Sequence, residues 1–257
     1  MNQNKNFKIR TRLKHIYYKF KRDVLNLRLN FFSYYKYLKL KQNKGNLETN
    51  LKNYYKKNKI SILEGNSLQS EEQEKYLKSL EGNFKNILEI GFNAGHSSEL
   101  FLENFKNAKV TSVDLGYWYY CKFGYEFLKN KYPGRIEVHF EDSIKALKGY
   151  SKLNKNNIYD LIYIDGNHTY QYALNDILNC KKFSDQSTIL LLDDVVQDPA
   201  FRTEANKAPT EVWNKLKEEG VISEIECMHF KDINRGVAVG RYTLAWLKEL
   251  KYKENKL

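Results

Sequence analysis

From residue 85 onward, short apolar runs alternate with segments whose apolar positions recur every three or four residues. The runs at 87–90, 109–114, 136–140, 159–165 and 188–192 have the length and β-branched content of buried strands. Helical periodicity fills the gaps at 97–105, 121–131, 143–147, 170–181 and 210–219. Thr210 reads as the N-cap of the last of these, with Gly220 just past its end. Two final runs, 222–230 and 236–242, are separated by 231–235, which is too short for a crossover helix, so they predict an antiparallel hairpin. A further helix is expected within 61–80, where Ser70-Glu71-Glu72-Gln73 fits a capping box with Gln73 reaching back to Ser70.

Strand–helix units closed by a helix and a hairpin predict an α/β fold. It is a Rossmann-like, doubly wound, mostly parallel sheet of seven strands with one antiparallel strand. In such sheets ligands bind beyond the carboxyl ends of the strands, where the strand order reverses. Four acids fall at such ends: Asp114, Asp165 and the pair Asp193-Asp194.

A different pattern precedes this domain. Leu13, Tyr17, Phe20, Val24, Leu27, Phe31, Tyr35 and Leu38 are spaced by three and four residues, with Lys and Arg between them. This predicts one or two amphipathic helices between about 9 and 40, followed by a Lys/Asn-rich linker to about 59. The expected organisation is a basic, aromatic-rich helical extension and linker over 1–60, a catalytic-type domain over 61–245, and a basic tail over 246–257. Charge supports the division. Residues 1–60 hold 17 Lys/Arg against Asp23 and Glu48, and the remainder holds 26 against 29 acids, so the formal +12 belongs to the extension. The extension could track nucleic-acid phosphates, lie on an anionic membrane surface, pack on a partner, or simply cover the domain with its lysines solvated.

No run of 18 apolar residues is present, so no spanning helix is expected. The basic N-terminus lacks an apolar h-region, and a cytoplasmic setting is expected. Cys121, Cys180 and Cys227 have no metal-ligand or disulfide spacing and read as reduced thiols.

The chemistry begins at Glu89-x-Gly91-x-x-x-Gly95-x-Ser97. A strand that runs through a glycine turn into a helix gathers backbone N–H groups at a helix N-terminus, which suits a carboxylate or phosphate. A dinucleotide-binding turn would bring its first two glycines closer together. With Asp114 at the end of the next strand and the acid–hydroxyl pair Asp142-Ser143 further on, this stretch resembles the class I S-adenosylmethionine-dependent methyltransferases. The resemblance covers roughly 68–242. Ile164-Asp165-Gly166-Asn167-His168-Thr169-Tyr170 and Leu192-Asp193-Asp194 bring it nearest to the metal-dependent small-molecule O-methyltransferases of the catechol and sugar types.

That resemblance implies S-adenosylmethionine as cofactor, with Glu89, Gly91, Gly95 and Ser97 at its amino-acid end and Asp114 on its ribose. Asp142 and Ser143 would meet the adenine edge, and Asp165 would also touch the cofactor. It implies Mg²⁺ or a similar divalent cation on Asp165, Asp193 and Asp194, where three converging carboxylates need neutralising. Asp165 and His168 become the catalytic candidates, with His168 as the base where the catechol type has lysine. The expected substrate is a small hydroxylated acceptor, a sugar or catechol-like diol. A nucleic-acid methyltransferase using residues 1–60 and a non-catalytic binding protein are the rival readings. Tyr117, Trp118, Tyr119 and Tyr120 are candidates for stacking the adenine or walling the acceptor site. The segment 195–207, with Arg202 and Lys207, is a candidate lid. His96 reads as a solvent or packing residue, and Tyr170 and Asp176 as supporting groups behind the site.

Overall fold

The structure is a computed structural model that describes residues 50–60, 70–150, 153 and 157–254. The helices expected between 9 and 40 lie outside the described residues, as does 61–69. In chain order the elements are α1 (Leu51–Lys57), α2 (Glu71–Ser79), β1 (Asn86–Ile90), α3 (His96–Asn104), β2 (Lys109–Asp114), α4 (Tyr119–Lys131) and β3 (Ile136–Phe140). They continue with β4 (Leu161–Ile164), α5 (Tyr170–Cys180), β5 (Ile189–Asp193), α6 (Glu204–Glu218), β6 (Ile222–Phe230), β7 (Arg235–Tyr242) and α7 (Leu244–Glu254). Among the described residues no helix is long and apolar enough to cross a membrane.

The seven strands form one sheet in the order β3-β2-β1-β4-β5-β7-β6. All neighbours from β3 to β5 pair in parallel, and β7 pairs antiparallel to both β5 and β6. The order reverses between β1 and β4. Right-handed crossovers therefore send α3 and α4 to one face and α5 to the other. The core strands are covered on both faces, which explains why β4 is buried at all four positions. Leu88 and Ile90 point into a core that includes Ile162, Ile164, Ile177 and Trp213. By the two-residue period of a strand, Glu89 points to the opposite face, toward α3.

The site's position depends on the point where β1 and β4 end. Gly91 N–H donates to Val113 O at 2.8 Å, and Asp165 N–H donates to Ile90 O at 2.8 Å. Gly91 has φ +100, and a Cβ there would stand 1.9 Å from the Asp165 carbonyl oxygen. Only glycine allows both that φ and that approach.

Three segments depart from the sequence reading. Residues 51–57, expected as linker, are helical. Asn50 caps α1 by accepting from Asn53 N–H, and Leu51 and Tyr55 bury the one apolar edge of an otherwise polar stretch. A single i,i+4 pair is too weak a periodic signal to distinguish helix from linker. The second departure is α6, which begins at Glu204 rather than near 210. Thr203 and Asn206 form its reciprocal cap. Thr210 lies inside the helix, where its hydroxyl donates to Asn206 O at 2.6 Å and accepts from Val196 N at 2.9 Å. Pro209 is the sixth residue of α6, where its missing N–H forgoes the bond to the carbonyl of residue 205. Lys207 is therefore in a helix, and Arg202 donates to the carbonyls of Val196 and Gln197. The third is the C-terminal tail expected over 246–257, which is helical to Glu254 as α7.

Gly91→Ala should lower stability by about 3 kcal/mol or more, a fall in Tm of roughly 6–12 °C, because strain and overlap with backbone combine. Gly134→Ala is the control. It shares a positive φ but its Cβ would meet nothing within 4 Å, so only about 1 kcal/mol should be lost. Equal melting shifts for the two variants would contradict this account of Gly91.

Candidate active site

Beyond the ends of β1 and β4 lies a small, shallow cleft lined by Gly91, Phe92, Asn93, Ala94, His96, Ser97 and Asp165. Gly95 turns into α3 in the left-handed region and supplies no side-chain cap. The first N–H groups of α3 are thus available to an anion at the cleft wall. Of the predicted residues, Gly91, Ser97 and Asp165 meet on this wall.

Glu89 has a different task from the one expected of it. It is 0 % exposed, and its carboxylate takes the hydroxyls of Ser97, Ser98 and Ser112, each at 2.5 Å. Ser112 is its parallel partner on β2. Ser97 and Ser98 come from the first turn of α3. The carboxylate therefore ties β1, β2 and α3 together behind the cleft and presents nothing to a ligand. Burial pushes its pKa up to about 7, against the three hydroxyl bonds that pull it down, and Asp165 adds to the rise.

Asp114 also holds the turn. One oxygen accepts from Asn93 N–H at 2.8 Å and the other from Gly116 N–H at 2.6 Å. It stays half-buried, with further lone pairs on the same oxygens. Asp142 caps the short helical turn Ser143–Lys145 and accepts from the Tyr172 hydroxyl at 2.7 Å. Ser143 bonds to Asp176, whose pKa is raised to about 7 by burial, against that bond. Asp142 and Ser143 sit at the end of β3 and are not on the cleft wall. Trp118, Tyr119 and Tyr120 are buried in the core. Leu115, directly after Asp114, is 61 % exposed.

Asp165, His168, Asp193 and Asp194 do come together, with two residues the sequence did not suggest. His168 Nδ1 is 2.9 Å from Asp194 Oδ2, and its Nε2 is 3.5 Å from Asp165 Oδ1. Arg235 Nε is 3.6 Å from Asp194 Oδ1, and its Nη1 is 4.0 Å from Asp193 Oδ2. Gln73 Nε2 donates to Asp193 Oδ1 at 2.9 Å. Ser70 accepts from Gln73 N–H as a cap should, but the Gln73 side chain runs to Asp193 rather than back to Ser70. Asp193 and Asp194 are buried, and Asp165 is the open member, its side chain 20 % exposed.

This environment changes the expected role of His168. Burial alone would lower its pKa, but the bonds to Asp165 and Asp194 outweigh it and raise the value to about 10. At neutral pH the imidazole is a cation that donates, not a free base. Burial and the neighbouring carboxylates Asp165 and Asp194 raise the Asp193 pKa. As for a divalent cation, the expected ligands do not fit one as they stand. Their oxygens turn toward Gln73, Arg235, His168 and Tyr163, and among the described residues no three His, Cys, Asp or Glu side chains are placed to hold a metal ion.

His96 is the packing residue that one of its two expected readings gave: it is 7 % exposed and stacks on Tyr55 at 5.7 Å with planes 3° apart, and it also lines the cleft. Burial and nearby Lys52 lower its pKa to about 4, so it is neutral. No local signal marks Tyr55, Gln73 or Arg235, since their partners lie far away in the chain.

Glu89 predicts a pH dependence. Its folded pKa of about 7 exceeds the ordinary 4.5, so the fold favours the protonated form. This contribution is complete below pH 4.5 and is lost as pH rises to 7, on the order of 3 kcal/mol. Glu89→Gln should flatten the melting profile across that window. An unchanged slope would show that the Glu89 carboxyl does not titrate there.

Residues 88–195 match a family model described as a methyltransferase domain. An O-methyltransferase from Bacillus cereus in complex with SAH is similar in structure at 16% identity and TM-score 0.61, covering 79% of this chain and 96% of that one. A SAH-bound methyltransferase from Podospora anserina is similar at 17% identity and TM-score 0.58, covering 82% and 95%. No curated protein matches the chain. Fold, glycine turn and matched segment agree: residues 88–195 are similar to a methyltransferase domain and lie on a Rossmann-like α/β fold.

Proposed function

We propose that the domain methylates a hydroxyl group of a small acceptor. The observation that carries this reading is the position of Asp165. The residue lines the glycine-turn cleft, and its carboxylate faces His168 at the mouth of the acidic cluster. One residue thus belongs to both the cofactor side and the polar side of the site.

The residues present suit the cofactor. The uncapped N-terminus of α3 and the turn from Gly91 to Gly95 would hold its carboxylate, and Asp165 would face its ammonium. Asp114, half-buried at the end of β2, has the lone pairs to accept ribose hydroxyls. Leu115 offers an exposed apolar face beside it for the adenine, and Asp142 and Ser143 the polar edge. When bound, S-adenosylmethionine supplies a methyl group on a positively charged sulfur.

The acceptor's hydroxyl would lie against Asp165, which takes its hydrogen bond and then its proton as the oxygen becomes the nucleophile. His168, held between Asp165 and Asp194, fixes the orientation of the Asp165 carboxylate and stabilises charge that develops beside it. Asp165→Asn should therefore depress turnover far more than it weakens acceptor binding.

Calorimetry with S-adenosylhomocysteine tests the cofactor half directly. Saturable binding is expected, weakened 10- to 100-fold in Asp114→Asn, as for loss of a charged hydrogen-bond acceptor. No heat with the intact chain would sink the enzymatic reading. Unchanged affinity in the variant would remove Asp114 from the site.

A further inference from the structure

Two of the three carboxylates that a divalent ion would need already face an arginine of the chain. We propose that Arg235 is the resident cation of this site, so that the domain binds its ligands and works without a divalent metal. The inference rests on the methyltransferase reading above and removes from it any need for the acceptor to be a chelating diol.

The positions of the oxygens carry the proposal. A magnesium or calcium ion draws its oxygen ligands to within about 2.0–2.6 Å of one point. Here the oxygens diverge. Asp193 Oδ1 receives the Gln73 amide at 2.9 Å, on the side of α2. Asp193 Oδ2 and Asp194 Oδ1 face the Arg235 guanidinium at 4.0 and 3.6 Å. Asp194 Oδ2 faces His168 at 2.9 Å. Asp165 Oδ1 and Oδ2 face His168 and the Tyr163 hydroxyl at 3.5 and 3.4 Å. The six oxygens face protein groups on different sides. Asp194 Oδ2 has no aligned donor despite the nearby imidazole, and the two guanidinium contacts are likewise ion pairs without hydrogen-bond alignment, so that Asp193 Oδ2 and Asp194 Oδ1 have no donor either. A small movement of the guanidinium would satisfy both.

The backbone keeps Arg235 there. Val237 is the antiparallel partner of Asp193, and Arg235 lies two residues before it on the same face of β7. Gly236 between them is locked to the strand end: its carbonyl accepts from Val195 N–H at 3.1 Å, and a Cβ on it would stand 2.2 Å from Val195 O. The register therefore keeps the Arg235 backbone beside the acidic pair. Its charge is permanent, and leaving Asp193 and Asp194 buried without it would be strongly unfavourable. An entering ion would have to displace Arg235 and the Gln73 amide before it gained two ligands. The open remainder of the site is Asp165, whose side chain is 20 % exposed while those of Asp193 and Asp194 are buried.

Electron paramagnetic resonance of Mn²⁺ titrated into the full chain, with and without S-adenosylhomocysteine, tests this without an acceptor. The wild-type chain should show no saturable site up to millimolar Mn²⁺. Arg235→Met removes the charge and nearly keeps the length, and it should create a stoichiometric Mn²⁺ site that Asp194→Asn then abolishes. Arg235→Lys keeps a cation and should remain without one. Stoichiometric binding to the wild-type chain, lost in Asp194→Asn, would overturn the proposal. So would a folded Arg235→Met chain that still takes no ion. Failure to bind S-adenosylhomocysteine would count against the methyltransferase reading, and the Mn²⁺ result would stand apart from it.

Discussion

Gly91 meets the Asp165 carbonyl where β1 and β4 end, and the rest of the site depends on that contact. These neighbouring strands send their chains to opposite faces of the sheet, which opens a gap between them. A residue without Cβ lets the two backbones close at the floor of that gap. The turn then rises over it to Gly95 and the N-terminus of α3. Asp165 follows directly, so the contact that shapes the cofactor turn also sets the position of the first acid of the polar cluster.

Buried carboxylates on the two sides of that contact are handled in different ways. Glu89 is met by three neutral hydroxyls, which align with it but bring no charge, and its pKa stays well above the ordinary range. Asp193 and Asp194 are met by Arg235 and His168, which bring charge at looser distances. The first arrangement is rigid and closed, as befits a joint between β1, β2 and α3. The second is open at Asp165, where a ligand can enter.

The segments before β1 close the site from outside. Leu51 N–H donates to both oxygens of Glu99 on α3, and the Tyr55 hydroxyl donates to Ala94 O and Tyr120 O. Gln73 on α2 reaches Asp193. The glycine turn and the acidic cluster are thus each tied to a helix that precedes the sheet.

The sequence by itself determined the strands, their order of alternation with helices, the glycine turn and the acids at strand ends. Each of these is written locally, in a period of two or 3.6 residues, in a glycine that only one backbone geometry requires, or in an acid that ends an apolar run. It also pointed to the methyl-donor family, because the step from Gly91 to Gly95 and the distance to Asp114 are themselves local spacings. Only the tertiary structure decided what the polar residues do. Glu89 became a joint because Ser112 lies beside it on β2. Gln73 left its cap for an acid 120 residues away, and Arg235 became a cation of the site through the β5–β7 register. His168 became a donor because Asp194 lies beside it. Long-range pairing sets these partners, and the charge and pKa of a buried group follow from its partners rather than from its neighbours in the chain.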